Sequence, residues 1–156
     1  MRMKLGHLLL IIFSIISLTA CSAVQEVSNG VDYARGATDY INKVLTFKSD
    51  VTQFIEQGKF DQATRKSFLP KVEQMKKDVA TFESLTPPKI EAIQNIHQQI
   101  TDFNQVFKPS LDTLTTTLNA ETPEITMDQF SHKISQGLDS AKNLQGVLGP
   151  LKDFIK

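Results

Sequence analysis

The stretch IEAIQNIHQQITDFNQVFKPSLDTLTTTL, Ile90 to Leu118, shows the pattern that decides the fold. Its apolar residues recur at alternating intervals of three and four, which is the spacing of one face of an amphipathic α-helix. The helix is predicted to begin around Pro88, since proline is tolerated in a first turn, and Pro109 is expected to kink it. The predicted inner positions are Ile90, Ile93, His97, Ile100, Phe107, Leu111, Leu114 and Leu118, with Asn104 as one polar member.

Three further segments repeat this spacing, and turn-forming residues separate them. The first runs from about Val27 to Gln57. The second begins at Asp61, a good N-cap, and the last begins at Thr126, where Gln129 completes a capping box. The predicted inner positions of these three segments are Ala34, Ala37, Ile41, Val44, Phe47, Lys48, Val51, Phe54 and Ile55; Phe68, Val72, Met75, Val79 and Phe82; and Met127, Phe130, Ile134, Ala141, Leu144, Leu148, Leu151 and Ile155.

Glycine and proline are expected to modify these helices. Gly30 and Gly36 should weaken the start of the first segment by about 1 kcal/mol each. Pro70 should bend the second segment or divide it, and Gly149-Pro150 should bend or break the last. No segment shows sustained period-two alternation. We therefore predict an all-α fold, an antiparallel up-down-up-down four-helix bundle with kinked helices.

Composition limits the classes of function. A chain of 156 residues suits one domain with a core of its own. Seventeen basic residues balance 17 acidic ones, which argues against a nucleic-acid partner, because that needs a clustered basic excess. One cysteine excludes an internal disulfide and a Cys-based metal cluster.

The N-terminus has the layout of a secretory signal. Arg2 and Lys4 precede an apolar run from Leu8 to Leu18, and two small residues, Thr19 and Ala20, follow it. A helix over the eleven residues of that run rises only about 16 Å, short of a hydrocarbon core of about 30 Å. The run is therefore more typical of a cleaved signal than of a membrane span.

The single cysteine makes the prediction more specific, because Leu18-Thr19-Ala20-Cys21 matches the bacterial lipobox. Leu18, Thr19 and Ala20 are the predicted signal-peptidase recognition residues, and Cys21 is the predicted lipidation site. Diacylglycerol would be attached to its sulfur through a thioether, and cleavage before Cys21 would make it the new N-terminus. The alternative is an uncleaved signal anchor, since residues 5–24 carry no Lys, Arg, Asp or Glu.

These predictions divide the chain into three parts. Residues 1–20 form a lipoprotein signal peptide, residues 21–28 form the lipidated cysteine and a short tether, and residues 29–156 form the helical bundle domain. Removal of the signal peptide would leave 136 residues with 15 basic and 17 acidic groups. We expect the mature protein on the extracytoplasmic face of the cell membrane, held there by its lipid.

Two parts of the chain carry a family resemblance. One is around Pro87-Pro88 with the run Ile96 to Ile100, and the other consists of Cys21, Asn29, Tyr33, Ala37, Thr38, Asp39, Tyr40, Ile41 and Asn42. In these residues the chain resembles a family of small uncharacterised lipoproteins of Gram-positive bacteria. The resemblance implies an anchored surface lipoprotein and no particular activity.

Two histidines raise the question of a metal or haem. His97 lies on an inner face, where it could be an axial ligand or a packed, hydrogen-bonded histidine. We favour the packed histidine, because no second ligand accompanies it at a suitable spacing. Glu124, Asp128 and His132 could share one helical face, and we favour a solvated face over a metal site there. We therefore predict no cofactor and no metal.

Two other groups of side chains could bind a partner. One is the basic set of the second segment, which could meet anionic headgroups or simply form a charged exterior. Its members are Arg65, Lys66, Lys71, Lys76 and Lys77. The other is Tyr33 and Tyr40, seven residues apart, which could form a partner-binding patch or pack in the core.

No arrangement typical of catalysis is legible in the sequence, so we expect no enzymatic activity. The predicted function is that of a membrane-anchored, non-catalytic binding or envelope-associated helical module, whose protein or envelope partner the sequence does not identify. The alternative is a carrier of an apolar ligand or haem within the bundle core, suggested by His97 and the Phe- and Met-rich inner faces.

Overall fold

A computed structural model of the chain describes residues 4–120 and 126–155, and side chains from residue 28 onward except those of residues 127, 133 and 136. Within this part the chain forms helices and no strands, which confirms the all-α prediction. The helices are α1 (Lys4–Glu56), α2 (Gln62–Glu83), α3 (Glu91–Asn119) and α4 (Met127–Ile155). α1 packs on α2 and α4, and α3 packs on the same two helices.

Local capping residues place two of the helix starts as predicted. The carboxylate of Asp61 accepts a hydrogen bond from the backbone N–H of Thr64 at 2.8 Å, and this bond lowers the pKa of Asp61. The N–H of Thr126 donates to the side chain of Gln129 at 3.0 Å, and the N–H of Gln129 donates to the Thr126 hydroxyl at 3.3 Å. Both the N-cap and the capping box are therefore confirmed.

The start of α3 differs from the prediction. The helix begins at Glu91 rather than around Pro88, because Ile90 has the extended angles φ −100° and ψ 115°. The Ile90 side chain lies against Gly30 of α1, where a Cβ on the glycine would come within 2.9 Å of Ile90 Cδ1. Tertiary packing therefore sets this helix start.

Each of the prolines within the helices is accommodated without a break. Pro70 lies inside α2, Pro109 inside α3 and Pro150 inside α4, so the predicted division of α2 and the predicted break in α4 are both wrong. All three rings are exposed, so solvent can reach the carbonyl that each proline leaves without its usual donor. Buried neighbours such as Phe68 and Val72 on either side of Pro70 hold the helix together across the missing bond. Kinks at these positions stay a prediction.

Ion pairs give the direction of α2 against α1. Lys43 pairs with Asp78 at 3.1 Å, and Asp50 pairs with Lys71 at 2.8 Å. The partner number falls as the α1 number rises, so these two helices run in opposite directions.

Ring and hydroxyl contacts relate α1 to α3 and α4. The hydroxyl of Tyr33 meets His97, and that of Tyr40 meets Asn104, so α1 and α3 run in the same direction. The Phe130 ring near the start of α4 lies 5.8 Å from the Phe54 ring near the end of α1.

The core draws on all four helices and is wider than the predicted stripes. Six hydrophobic positions beside those stripes are also buried, namely Tyr33, Tyr40, Ile96, Phe103, Leu138 and Val147. Six predicted inner residues are only half-buried: Lys48, Ile55, Ile90, His97, Leu148 and Ile155. An apolar face spans more than 100° of a helix, so an alternation of three and four undercounts its edges.

Gly137 allows a close approach between α4 and α3. A Cβ there would lie 2.3 Å from Ser110 Oγ and 2.8 Å from Ser110 Cβ. Gly146, in the same helix, has nothing within 4 Å of the corresponding position.

We expect Gly137→Ala to lower the free energy of unfolding by about 1–3 kcal/mol, because the added methyl forces α3 and α4 apart. Gly146→Ala is the matched control and should raise it by roughly 0.5–1 kcal/mol through lower chain entropy in the unfolded state. Urea unfolding followed by circular dichroism measures both. Equal effects of the two substitutions would contradict the close approach.

Candidate functional site

The predicted lipidation site lies within α1, and its side chains are outside the described residues. This applies to Leu18, Thr19, Ala20 and Cys21 alike. The signal peptide of residues 1–20 and the tether of residues 21–28 therefore stay predictions. From residue 28 onward, where side chains are described, no helix is both long enough and apolar enough to cross a bilayer.

His97 is bound to a tyrosine of another helix. The Tyr33 hydroxyl lies 2.8 Å from His97 Nδ1, and the imidazole stacks on Phe82 of α2 with ring centroids 5.6 Å apart. Burial raises the pKa of Tyr33 above its usual value, so the phenol keeps a proton that it can donate. Burial lowers the pKa of His97, which favours the neutral ring, and the tautomer of that ring decides whether Nδ1 accepts or donates in this bond.

The geometry of His97 is that of a packed, hydrogen-bonded histidine. Its Nδ1 is already occupied by Tyr33, which leaves Nε2 as the nitrogen open to another partner. In the described chain, no three His, Cys, Asp or Glu side chains come close enough to hold a metal ion. Asp128 and His132 are exposed on α4, and Glu124 lies outside the described residues.

A second tyrosine repeats the arrangement seven residues further along both helices. The Tyr40 hydroxyl donates to Asn104 Oδ1, and the Tyr40 ring stacks on Phe82 with centroids 4.7 Å apart. Asn104 is 1% exposed, and its Nδ2 has no hydrogen-bond partner among the described atoms. We call Tyr33–His97 and Tyr40–Asn104 the diagonal pairs, because they join helices that face each other across the core.

The diagonal pairs correct one prediction and complete another. Tyr33 and Tyr40 are 5% and 3% exposed, so of the two alternatives left open by the sequence the partner-binding patch is excluded and core packing is confirmed. Asn104 was predicted as an inner position, but its hydrogen bond to Tyr40 was not predicted. Tyr33 and Tyr40 are seven residues apart, as are His97 and Asn104, and this equal spacing was the signal in the sequence that could have indicated the two pairs.

Arg65 is a buried cation whose partners are backbone carbonyls at the end of another helix. It was predicted as part of a basic exterior, yet it is 2% exposed. Its Nη1 donates to the carbonyl of Ala120 and lies 3.4 Å and 3.5 Å from those of Thr117 and Leu118. These groups belong to the C-terminal end of α3, where a cation satisfies free carbonyls and the negative end of the helix dipole. The guanidinium also lies 5.6 Å from the centroid of the Phe60 ring.

The remaining basic residues of α2 lie on its outer surface. Lys71 pairs with Asp50 of α1, and Lys76 pairs with Asp112 of α3 at 2.9 Å. Lys66 and Lys77 are exposed. This arrangement fits the interpretation as a charged exterior, since Lys71 and Lys76 form ion pairs with acids of the neighbouring helices.

A surface groove of about 430 Å³ lies between α1 and α2. Phe47 and Met75 form its floor, and both are buried. The Lys43–Asp78 and Lys71–Asp50 pairs also line it. Because each cation of these pairs already meets an acid, the groove presents no uncompensated charge to a ligand through them.

Comparison with known proteins finds a matching family and a similar protein from another source. The model of a family of unknown function, DUF6376, matches residues 33–151. The chain is 25% identical over 138 residues to the uncharacterized lipoprotein YybP of Bacillus subtilis (strain 168), covering 88% of this chain and 89% of that protein. No solved structure matches the chain. The predicted resemblance to an uncharacterised lipoprotein family of Gram-positive bacteria is confirmed.

The limits of the family match coincide with the limits of the core. Tyr33 and Leu151 are the first and last buried hydrophobic side chains of the described chain, and they are also the ends of the match. Both diagonal pairs and the buried Arg65 lie inside it. What the family model describes is therefore the body of packed helices.

The two members of the Tyr40–Asn104 pair should depend on each other for stability. Tyr40→Phe leaves the Asn104 carbonyl without its donor, and Asn104→Leu leaves the Tyr40 hydroxyl buried without an acceptor. Each should cost about 1–3 kcal/mol of unfolding free energy. The double variant should lose clearly less than the sum, because it strands neither group. Additive losses in urea unfolding would contradict the bond.

His97 should make stability depend on pH. The folded state binds the His97 proton less readily than the unfolded chain, whose histidine titrates near about 6.5. This contribution is complete above the unfolded pKa and is lost as pH falls through it toward the lower folded-state pKa. Unfolding free energy measured from about pH 7.5 to 5.5 should therefore fall less in His97→Gln than in the wild type. The exposed His132→Gln is the control and should keep the wild-type slope; an unchanged slope in His97→Gln would contradict the assignment.

Proposed function

We propose that this chain, which belongs to the DUF6376 family of unknown function, is a lipoprotein held on the extracytoplasmic face of the cell membrane by Cys21. The observation that carries the proposal is the position of the only cysteine, directly after an apolar run and two small residues. The similar Bacillus subtilis protein bears the name of a lipoprotein, and the similarity extends over most of both chains.

The residues before the cysteine suit the required processing. An enzyme that transfers diacylglycerol must reach the thiol, and small side chains at Thr19 and Ala20 leave it accessible. The thiol sulfur displaces the phosphate headgroup of a membrane phospholipid at the glyceryl carbon, so that the thioether forms as the C–O bond to phosphate breaks, and the released headgroup phosphate takes up the thiol proton. Hydrolysis of the peptide bond before Cys21 then frees a new amino terminus. Two acyl chains suffice for stable anchoring, whereas a single chain holds a protein only marginally.

The body of the protein is proposed to be a non-catalytic module that binds a protein or envelope component near the membrane surface. The polar side chains of its core support this, because Tyr33, Tyr40 and Arg65 are engaged in contacts between helices. The alternative, a carrier of haem or another apolar ligand, would have to bind through His97 Nε2, because Nδ1 is taken by Tyr33. The imidazole already stacks on Phe82 between packed helices, which favours the binding module over the carrier.

An up-down-up-down four-helix bundle is the proposed arrangement of this body. The ion pairs between α1 and α2 support opposite directions for those helices, and the diagonal pairs support a common direction for α1 and α3. The Phe54–Phe130 contact, together with the packing of α4 along α1, supports a fourth helix that returns along the first.

Substitution of Cys21 by Ser should abolish incorporation of labelled fatty acid and leave an unprocessed precursor that retains Met1. Ser22→Ala is the matched control and should be labelled and cleaved as the wild type is. Labelling of cells followed by mass spectrometry of the purified chain measures both changes. Normal labelling of Cys21→Ser would refute the anchor.

Proximity labelling from the wild-type protein in live cells should then enrich envelope proteins, and turnover of a small substrate with no such enrichment would refute the binding role.

A further inference from the structure

We propose that α1 is a helical stalk that holds the helical body end-on to the membrane. The near end consists of residues 84–90 and the C-terminal end of α4, and it faces the lipid. The far end consists of residues 57–61 and the start of α4, and it points away. This inference rests on the proposed anchor at Cys21 and adds an orientation to it.

The first supporting observation is the continuity of α1. The helix extends from Lys4 to Glu56, so it passes through residues 21–28 and enters the core without interruption. Gly30 is the first buried position of α1 among the described side chains, and a Cβ added there would meet Ile90 and Ile93 at 2.9 Å and 3.4 Å. Cys21 precedes Gly30 by nine helical residues, a rise of about 14 Å.

The second observation is which elements share the level of Gly30. Ile90, just before α3, lies against Gly30, and Leu85, just after α2, lies 3.3 Å from a Cβ added at Gly36. The connection between α2 and α3 therefore lies at the end of the body where the stalk enters. This connection is part of the near end.

The direction of α4 brings its C-terminus to the same end. The Phe130 ring lies 5.8 Å from that of Phe54 and 5.2 Å from that of Phe60, so α4 starts at the far end. From Phe130 to Ile155 the helix rises about 37 Å, and from Phe54 back to Gly30 α1 spans about 36 Å. Ile155 therefore lies close to the level of Gly30.

Over the described residues, the exposed sides of the helical body lack the apolar face that would hold it flat on the bilayer. A helix that rests in the interface needs an apolar face exposed along its length. Among the described side chains, Val106, 42% accessible, is the only large hydrophobic one that is exposed. With the near end toward the lipid, the far end stands about 50 Å from the anchor, since Cys21 and Glu56 are 35 helical residues apart.

The orientation can be measured with two matched thiols. Lys59 and Lys89 are both exposed and both lie in connections between helices, the first at the far end and the second at the near end. Cys21 is the only natural cysteine, and its sulfur is consumed by lipidation, so Lys59→Cys and Lys89→Cys each add one reactive thiol. Each mature lipidated protein, purified from cells, is labelled with a donor dye and placed in phosphatidylglycerol–phosphatidylethanolamine vesicles that carry acceptor-labelled headgroups.

We expect energy transfer to the headgroups to be at least about threefold more efficient from position 89 than from position 59, because helix rise separates the two levels by about 40 Å. Equal transfer from both positions would overturn the end-on orientation. A higher efficiency from position 59 would overturn it as well.

The stalk itself is tested at Ser28, which is exposed and precedes the packed part of α1. Ser28→Pro removes a backbone hydrogen bond and clashes with the preceding turn, so it should break the stalk and reduce the difference between the two positions. Ser28→Ala is the control and should preserve the difference. An unchanged difference in Ser28→Pro would overturn the rigid stalk.

Two measurements on the same preparations separate this inference from the anchor. Circular dichroism confirms that each variant is folded, and fatty-acid labelling confirms that it is lipidated. A lipidated, membrane-bound protein with equal transfer from both positions refutes the orientation and leaves the anchor standing. A wild-type protein without lipid refutes both.

Discussion

A tyrosine hydroxyl buried in a helical core must find a hydrogen-bond partner, because a stranded polar group costs about 1–3 kcal/mol. In this protein Tyr33 and Tyr40 on α1 meet that requirement through His97 and Asn104 on α3. Both partners lie seven residues apart on their own helix, so one alignment of α1 and α3 satisfies both hydroxyls. A shift of either helix by one turn would strand both. The two polar pairs therefore select one alignment from the several that apolar contacts alone would permit.

Phe82 connects these pairs to a third helix. Its ring stacks on Tyr40 and on His97 and makes an edge contact with Tyr33, so α2 is held against the same part of the core. Arg65 has a comparable role at the other end of α2, where it donates to the last carbonyls of α3. α2 thus carries an aromatic contact at one end and a cationic cap at the other. Together they fix the position of α2 along α3, so this alignment does not depend on apolar packing alone.

Local signals in the sequence were sufficient for some of these features. Asp61 and the Thr126–Gln129 box mark helix starts because the partners of a cap lie within three residues. Arg65 was misplaced, although its spacing of three from Phe68 and seven from Val72 puts it on the inner face. Its partners are carbonyls more than fifty residues away, and nothing in the local sequence identifies them. The continuity of α2 across Pro70 likewise depends on the burial of its neighbours against other helices.

Two glycines show why the junction between anchor and body was also beyond local reasoning. By propensity, Gly30 and Gly36 weaken a helix and predict a loose beginning. In the structure a Cβ at Gly30 would come within 2.9 Å of Ile90, and one at Gly36 within 3.3 Å of Leu85. The absence of side chains lets α1 approach the end of α2 and the start of α3 at the point where the stalk enters the body. With the anchor and stalk proposed above, a force applied through the lipid would reach a packed contact rather than a hinge, because Gly30 and Gly36 permit close packing where their helix propensity alone predicts weakness.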